Sequence, residues 1–268
     1  MTTPFRFGLV AMPQAADSWL DLARRVEALG FDALLVPDNL AATAPMLACT
    51  AAAGVTQRLH VGPYVLAAPL RNPGLVAAEA ATLHALSGGR LELGLGAGRP
   101  DSAREAEQLG VPFGSPGERM AHLERTIAAV RVRTPDTPLT VAASGPRMLA
   151  LAGRTADVVA LGASPYAGPD ELARMARIVT DAAGGRELAL NVNLTAVGDD
   201  IPPWLEQRMG VTVDKLVAAG SFAHLRGTPR EMADSLERRR AATGVSYLCA
   251  GADNSERLAP VVELLHGR

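Results

Sequence analysis

The chain has 268 residues, 48% hydrophobic but only 4% aromatic, with 20% charged and a formal net charge of −2. That length exceeds an ordinary domain yet suits one α/β barrel of about 250 residues, and an apolar content dominated by Ala, Leu and Val suits helices packed closely over a buried parallel sheet. The mixed, near-neutral charge excludes the electrostatic footprint of a nucleic-acid or anionic-membrane binder, which leaves a small molecule as the expected partner.

One unit recurs along the chain: a short apolar run, then an Ala/Leu-rich helical stretch and a turn. Phe5–Ala11 is the first run. Asp17–Leu29 follows it with Leu20, Ala23, Val26 and Leu29 at helical spacing, and Gly30 stops that helix. Ala33–Val36 is the second strand, followed by helix Pro45–Ala53, strand Leu59–Leu66, helix Pro73–Leu86, strand Leu91–Leu95 and helix Gly117–Arg131. Strand Leu139–Ala142, helix Arg147–Ala152, strand Val158–Leu161, helix Asp170–Ala183 and strand Leu188–Leu194 come next. A long helical region, Trp204–Ala242, leads to the last strand, Ser246–Ala250, and Ser255–Leu265 closes the chain. Alternation of this kind predicts parallel strands joined by right-handed crossovers, and eight of them predict closure into one (β/α)₈ TIM barrel over residues 1–268, with Phe5–Ala11 beside Ser246–Ala250. An open doubly wound sheet is the alternative, but its dinucleotide fingerprint belongs after the first strand, where Met12-Pro13-Gln14 stands instead.

Arg133–Pro138 and Asp199–Pro203 are expected to be loops, and Arg238-Arg239-Arg240 a solvated helix end whose dipole favours cations. Cys49 and Cys249 offer no metal-ligand spacing, while a disulfide between them stays open. Met1–Arg6 lacks a basic region ahead of an apolar run, and no stretch of about 20 apolar residues occurs, so the expected location is cytoplasmic.

Barrel active sites lie at the C-terminal ends of the strands. Here those positions are Ala11-Met12, Asp38-Asn39, Tyr64–Ala68, Gly96–Arg99, Ser144–Arg147, Leu161–Ser164, Asn191–Thr195 and Gly251–Asn254. They supply no Ser-His-Asp or Cys-His set and no glycosidase carboxylate pair. A rim of small residues, backbone amides and a few polar groups suits a preformed cofactor instead. Gly96-Ala97-Gly98 with Arg99, and Ser144-Gly145-Pro146-Arg147 at a helix start, would offer backbone N–H groups to phosphate; the plainer reading is two ordinary turns.

Several of these segments carry a resemblance. Leu29–Asp38, Val61–Leu66, Arg71-Asn72-Pro73, Ala80–Leu83 and above all Leu86-Ser87-Gly88-Gly89-Arg90-Leu91-Glu92-Leu93-Gly94-Leu95-Gly96-Ala97-Gly98 are followed by Ala142–Leu149 and Gly227-Thr228-Pro229. Over nearly the whole chain this order resembles the bacterial luciferase-like oxidoreductases, and most of all the branch of coenzyme F420-dependent oxidoreductases. The resemblance implies a barrel that holds F420 or FMN with its ring over the mouth, and a non-proline cis peptide at Tyr64–Val65 against the back of the ring. Cofactor-binding positions then fall at Tyr64, Val65, Gly96, Ala97, Gly98, Arg99, Ser144, Gly145, Pro146, Gly162 and Ala163, with no metal. Asp38 and Asn39 would orient substrate or relay a proton, a structural cap being the other role for Asp38.

There are departures. Asn39 stands where many relatives have His, and an amide is no acid or base near neutral pH. Arg99 stands where the sugar-phosphate dehydrogenases carry Glu, which argues against sugar-phosphate oxidation. The short passage from Arg131 to Leu139 lacks the insertion that commonly covers the mouth, so the pocket is expected to be open or completed by a second subunit in a homodimer. The implied activity is hydride transfer between F420 and an alkene, imine or carbonyl. The alternatives are an FMN-dependent monooxygenase and a cofactor-binding homologue without turnover. Gly98→Asp is expected to weaken cofactor binding more than folding.

Overall fold

In the computed structural model, which describes residues 3–39, 44–199, 201 and 203–268, the apolar runs lie side by side in parallel. The strands are β1 (Arg6–Val10), β2 (Ala33–Val36), β3 (His60–Pro63), β4 (Leu66–Ala67), β5 (Leu93–Gly96), β6 (Leu139–Ala143), β7 (Val158–Leu161), β8 (Ala189–Leu194), β9 (Ala196–Val197), β10 (His224–Leu225) and β11 (Val245–Gly251). The main sheet runs β3-β2-β1-β11-β8-β7-β6-β5-β4. Its two ends, β3 and β4, are halves of one strand interrupted at Tyr64 and Val65, so nine segments fill eight barrel positions. Closure comes from Leu66 opposite Leu95 and, lower down, from Val61 bridging to Leu91. A closed sheet leaves no edge exposed. As the sequence predicts, β1 lies against β11, with Phe7 opposite Leu248 and Gly8 opposite Cys249.

The helices are α1 (Ala16–Ala28), α2 (Pro45–Ala53), α3 (Pro73–Leu86), α4 (Ala103–Leu109), α5 (Pro116–Arg133), α6 (Pro146–Thr155), α7 (Pro169–Ala183), α8 (Pro203–Met209), α9 (Val213–Ala218), α10 (Pro229–Thr243) and α11 (Ser255–Leu265). Proline opens many of them, where its missing N–H would have no partner in any case. Asn72, Ser115 and Thr228 then cap α3, α5 and α10 with their side chains. Strand alternation sorts the core. Phe7, Leu9, Leu34, Val36, Leu93 and Leu95 pack outward against the helices, whereas Ala33, Leu35, Val158, Tyr247 and Cys249 form a smaller cluster inside the barrel.

Three expectations need correction. The long helical region Trp204–Ala242 is α8, α9, β10 and α10, because Gly210 and Gly220 adopt positive φ and stop two short helices, after which β10 pairs in parallel with β9. The Arg131–Leu139 passage lies at the end of the barrel opposite the mouth, where Arg131 and the Leu139 N–H both reach the Asp157 carboxylate at 2.6 and 2.8 Å. Its shortness therefore does not bear on what covers the mouth; the long mouth-side connections are residues 97–115 and 195–228. Arg239 is not a solvated helix end, since its guanidinium donates to the Phe222 and His224 carbonyls and holds β10 against α10. Burial, and then Arg238, lower its pKa to about 10. Cys49 and Cys249 are free, buried thiols, one in the outer core and one inside the barrel. Of the expected loop Asp199–Pro203, residues 200 and 202 lie outside the described residues. Among the described residues no helix is long and apolar enough to cross a membrane.

Candidate cofactor site at the barrel mouth

The peptide between Tyr64 and Val65 is cis, as the resemblance implies. Val65 presses its side chain onto β5. A Cβ on Gly96 would stand 2.9 Å from one Val65 methyl, and one on Gly94 would stand 2.8 Å from the other and 2.2 Å from the Pro63 carbonyl oxygen. Gly94 and Gly96 are thus required by the close approach of the 63–65 backbone, and Gly96 is a seat for Val65.

The rest of that turn faces α5. Gly98 has φ +74°, and a Cβ on it would lie 3.0 Å from the Phe113 ring. An aspartate there would strain the turn itself, so a folding cost is expected beside any effect on cofactor binding. The Ala97 carbonyl accepts from Arg119 at 3.1 Å, and the Arg119 guanidinium lies over Phe113. The Arg99 side chain is 74% exposed and pairs with Asp101.

Tyr64 points its ring into the barrel, toward the cluster that contains Leu35, Tyr247 and Cys249. Its hydroxyl donates to Asn191 Oδ1 at 2.5 Å, and Asn191 Nδ2 donates to the Tyr247 carbonyl and to Cys249 Sγ at 3.1 and 3.2 Å. Burial, reinforced by Cys249, pushes the phenol well above its ordinary pKa, so it stays a neutral donor.

Asp38 is held on both oxygens. Arg71 donates to Oδ2 and Oδ1 at 2.5 and 2.7 Å, and the Ala67 N–H donates to Oδ2 at 2.8 Å; the Asp38 side chain is 5% exposed. It ties the end of β2 to the turn that follows β4, which gives it a part in the scaffold of the mouth. Asn39 sits half-buried beside it.

At the other end of the barrel a second polar group forms the floor. Glu92 accepts from Arg6 and from the Tyr247 hydroxyl, with His60 Nδ1 3.3 Å away.

The remaining positions come together. The Gly162 N–H donates to the Ala143 carbonyl at 2.8 Å, and a Cβ on Gly162 would touch that of Ser144 at 3.3 Å, so Gly162-Ala163 and Ser144-Gly145 are adjoining lips of the mouth. Gly145 is the N-cap of the ten-residue α6, with no side-chain cap, and a Cβ on it would meet nothing within 4 Å. Ser144, Gly145, Pro146 and Arg147 are exposed, and the first-turn N–H groups of α6 have no side-chain acceptor. That is an open helix terminus of the kind that accepts an anion. Among the described residues no cluster of His, Cys, Asp or Glu could hold a metal. A groove of about 560 Å³ runs between α7 and α10, and another of about 380 Å³ lies beside the mouth-side connection, lined by Phe113, Arg119 and His122.

Residues 1–124 match the family model of the luciferase-like monooxygenases. The chain folds as a luciferase-like barrel. It is 36% identical to an F420-dependent glucose-6-phosphate dehydrogenase of Beutenbergia cavernae over 164 residues, covering 49% of this chain and 48% of that protein. It is 30% identical to the Nakamurella multipartita protein of the same description over 222 residues, covering 68% and 64%. This chain therefore spans about half to just under two thirds of the length of these relatives. Among solved structures it resembles the coenzyme F420-dependent tetrahydromethanopterin reductase of Methanopyrus kandleri, with 19% identity, TM-score 0.75 and 98% of each chain covered. It also resembles the FMN-bound oxygenating constituent of a diketocamphane monooxygenase from Pseudomonas putida, with 16% identity, TM-score 0.73, and 98% and 96% covered. Identities this low carry the fold alone.

Much of the motif that carries the resemblance is scaffold in this barrel. In Ser87-Gly88-Gly89-Arg90 the two glycines take positive φ and Arg90 reaches back to the Ala53 and Leu59 carbonyls, fixing the end of α2. In Arg71-Asn72-Pro73 the arginine clamps Asp38, the asparagine caps α3 and the proline begins it. Arg71 and Asn191 are residues of the mouth and lumen to which sequence reasoning gave no role of their own. The motif containing Arg71 was visible, but its salt-bridge partner was not, and Asn191 stood among the strand-end positions with nothing to show that it faces Tyr64.

Proposed function

We propose that this chain is a deazaflavin-dependent oxidoreductase that moves hydride between coenzyme F420 and an unsaturated or oxidised small organic molecule, an alkene, imine or carbonyl. The observation that carries the reading is the mouth itself: a Val65 bulge beside an open, uncapped helix terminus, with Asp38 tied up by Arg71. Such a mouth is built to bind and orient, and the hydride chemistry is what the cofactor supplies when bound. The backbone of Gly145–Met148 would hold its phosphate, Gly162 leaves the approach open, Val65 would back the ring, and the exposed Arg147 is available to an anionic tail. The likeness to F420-dependent dehydrogenases supports the cofactor. Arg99, standing where the resemblance implies Glu for the sugar-phosphate dehydrogenases, supports a substrate other than a sugar phosphate.

A second reading, an FMN-dependent monooxygenase, is favoured by the same helix terminus, which would equally hold one phosphate, and by the FMN-bound structural relative. Titration of the purified chain with F420 and with FMN, followed by ring fluorescence, separates the two. The proposal also takes the chain as a cytoplasmic homodimer. It is supported by the free, buried cysteines and by Leu47, Leu75 and Leu86 on the outer faces of α2 and α3, where Glu79 is the only Asp, Glu, Lys or Arg. A two-fold contact sets a face against its own copy, which favours faces without charge.

A further inference from the structure

We propose that Asn191 is a positioning residue for the bound ring, acting through Tyr64 to hold the Val65 bulge at the mouth. This rests on the reading of the mouth as a ring-cofactor site. In the closed order of the sheet, the β3/β4 strand and β8 are four steps apart in either direction, so they face each other across the barrel. The hydrogen bond from Tyr64 to Asn191 is therefore a strut across the lumen. Its far end is fixed: Asn191 is fully buried, and its amide nitrogen is committed to the Tyr247 carbonyl and Cys249 Sγ on the neighbouring β11, which leaves Oδ1 toward Tyr64. Burial pushes the Cys249 thiol up to about 12, so it stays neutral.

The near end of the strut is one residue from Val65, whose methyl groups are jammed over Gly94 and Gly96. Seat and strut together fix the bulge from two sides. A phenylalanine at 64 facing a leucine at 191 would fill much the same volume without burying a hydroxyl or an amide. The polar pair therefore contributes direction more than cohesion. Direction matters here because a ring displaced by a fraction of an ångström loses its alignment with substrate.

The test uses the full chain and compares the parent with Tyr64→Phe and Tyr64→Phe/Asn191→Leu. Three quantities are read: melting temperature without cofactor, affinity for F420 and FMN by fluorescence, and the circular dichroism induced in the bound ring. Tyr64→Phe is expected to weaken binding of whichever ring the parent takes by about tenfold and to change the induced signal. The double variant, which leaves no amide unsatisfied, is expected to recover melting temperature but not affinity or the ring signal. Asn191→Ser, too short to reach Tyr64, is read in the same way and keeps the test decisive if Tyr64→Phe does not fold. Parent-like affinity and ring signal in these variants, or affinity that returns with stability in the double variant, would overturn the proposal. A parent that binds neither F420 nor FMN would overturn the ring-site reading itself, and the strut's role with it.

Discussion

Replacing Asp38 by asparagine separates a scaffold role from a proton-transfer role. The amide keeps an acceptor for the Ala67 N–H but loses the charge that meets Arg71 through two hydrogen bonds at 2.5 and 2.7 Å. Removing one partner of a well-buried ion pair costs about 3–5 kcal/mol. Arg71 keeps 20% of its side chain exposed and can turn partly to water, so the expected loss is nearer 2–3 kcal/mol. At roughly 2–4 °C per kcal/mol for a chain of this size, the melting temperature should fall by about 4–12 °C, with a matching fall in the urea midpoint. Cofactor affinity should fall as well, because Asp38 anchors the segment that ends in Ala67, two residues from Val65. Thermal and urea unfolding of Asp38→Asn, alongside its turnover, make the check. A variant with the parent's stability and affinity that has lost turnover would refute the scaffold account and return Asp38 to the chemistry.

Gly96→Ala places a methyl 2.9 Å from Val65 and should displace the bulge, weakening ring binding about tenfold, with a stability loss of about 1–3 kcal/mol. Unchanged affinity by fluorescence titration would show that the seat is not needed. Acid sensitivity should involve Glu27, whose carboxylate accepts the N–H groups of Gln57, Arg58 and Leu59. Slight burial works to raise its pKa, but those donors outweigh it and hold it below the ordinary range. Its contribution is then complete above the unfolded value of about 4.3 and is lost as pH falls through the lowered folded value. Glu27→Gln should accordingly melt below the parent at neutral pH, with the gap closing below about pH 4; a gap independent of pH would contradict this.

The fold was legible because its signals are local and repeated. Ala33–Val36, Pro45–Ala53 of the outer ring and Val158–Leu161 show this, with α2 beginning at Pro45 and ending at Ala53 as the pattern requires. The residues 204–242 were misread because apolar spacing continued across Gly210 and Gly220, and only their positive φ shows the breaks. The site was legible in position more than in role. Ser144-Gly145 and Gly162-Ala163 do meet at the mouth, but Gly96 and Gly98 proved to be shaped by Val65 and Phe113, partners remote or unmarked in sequence. Asp38 reads as a catalytic carboxylate until Arg71 is seen on both its oxygens.

Cofactor choice is the most direct test of the account. The purified chain is titrated with F420 and with FMN under one condition, and the reduced form of whichever binds is mixed with candidate alkenes, imines and carbonyls while oxygen is monitored. Charge-assisted contacts of about 1.5–3 kcal/mol each, if two are made to the longer anionic tail, separate the cofactors by about 10²-fold or more. The account predicts tighter binding of F420 and oxidation of its reduced form by substrate without oxygen uptake; FMN binding at least as tight, or oxygen consumed in step with reduced flavin, would contradict it.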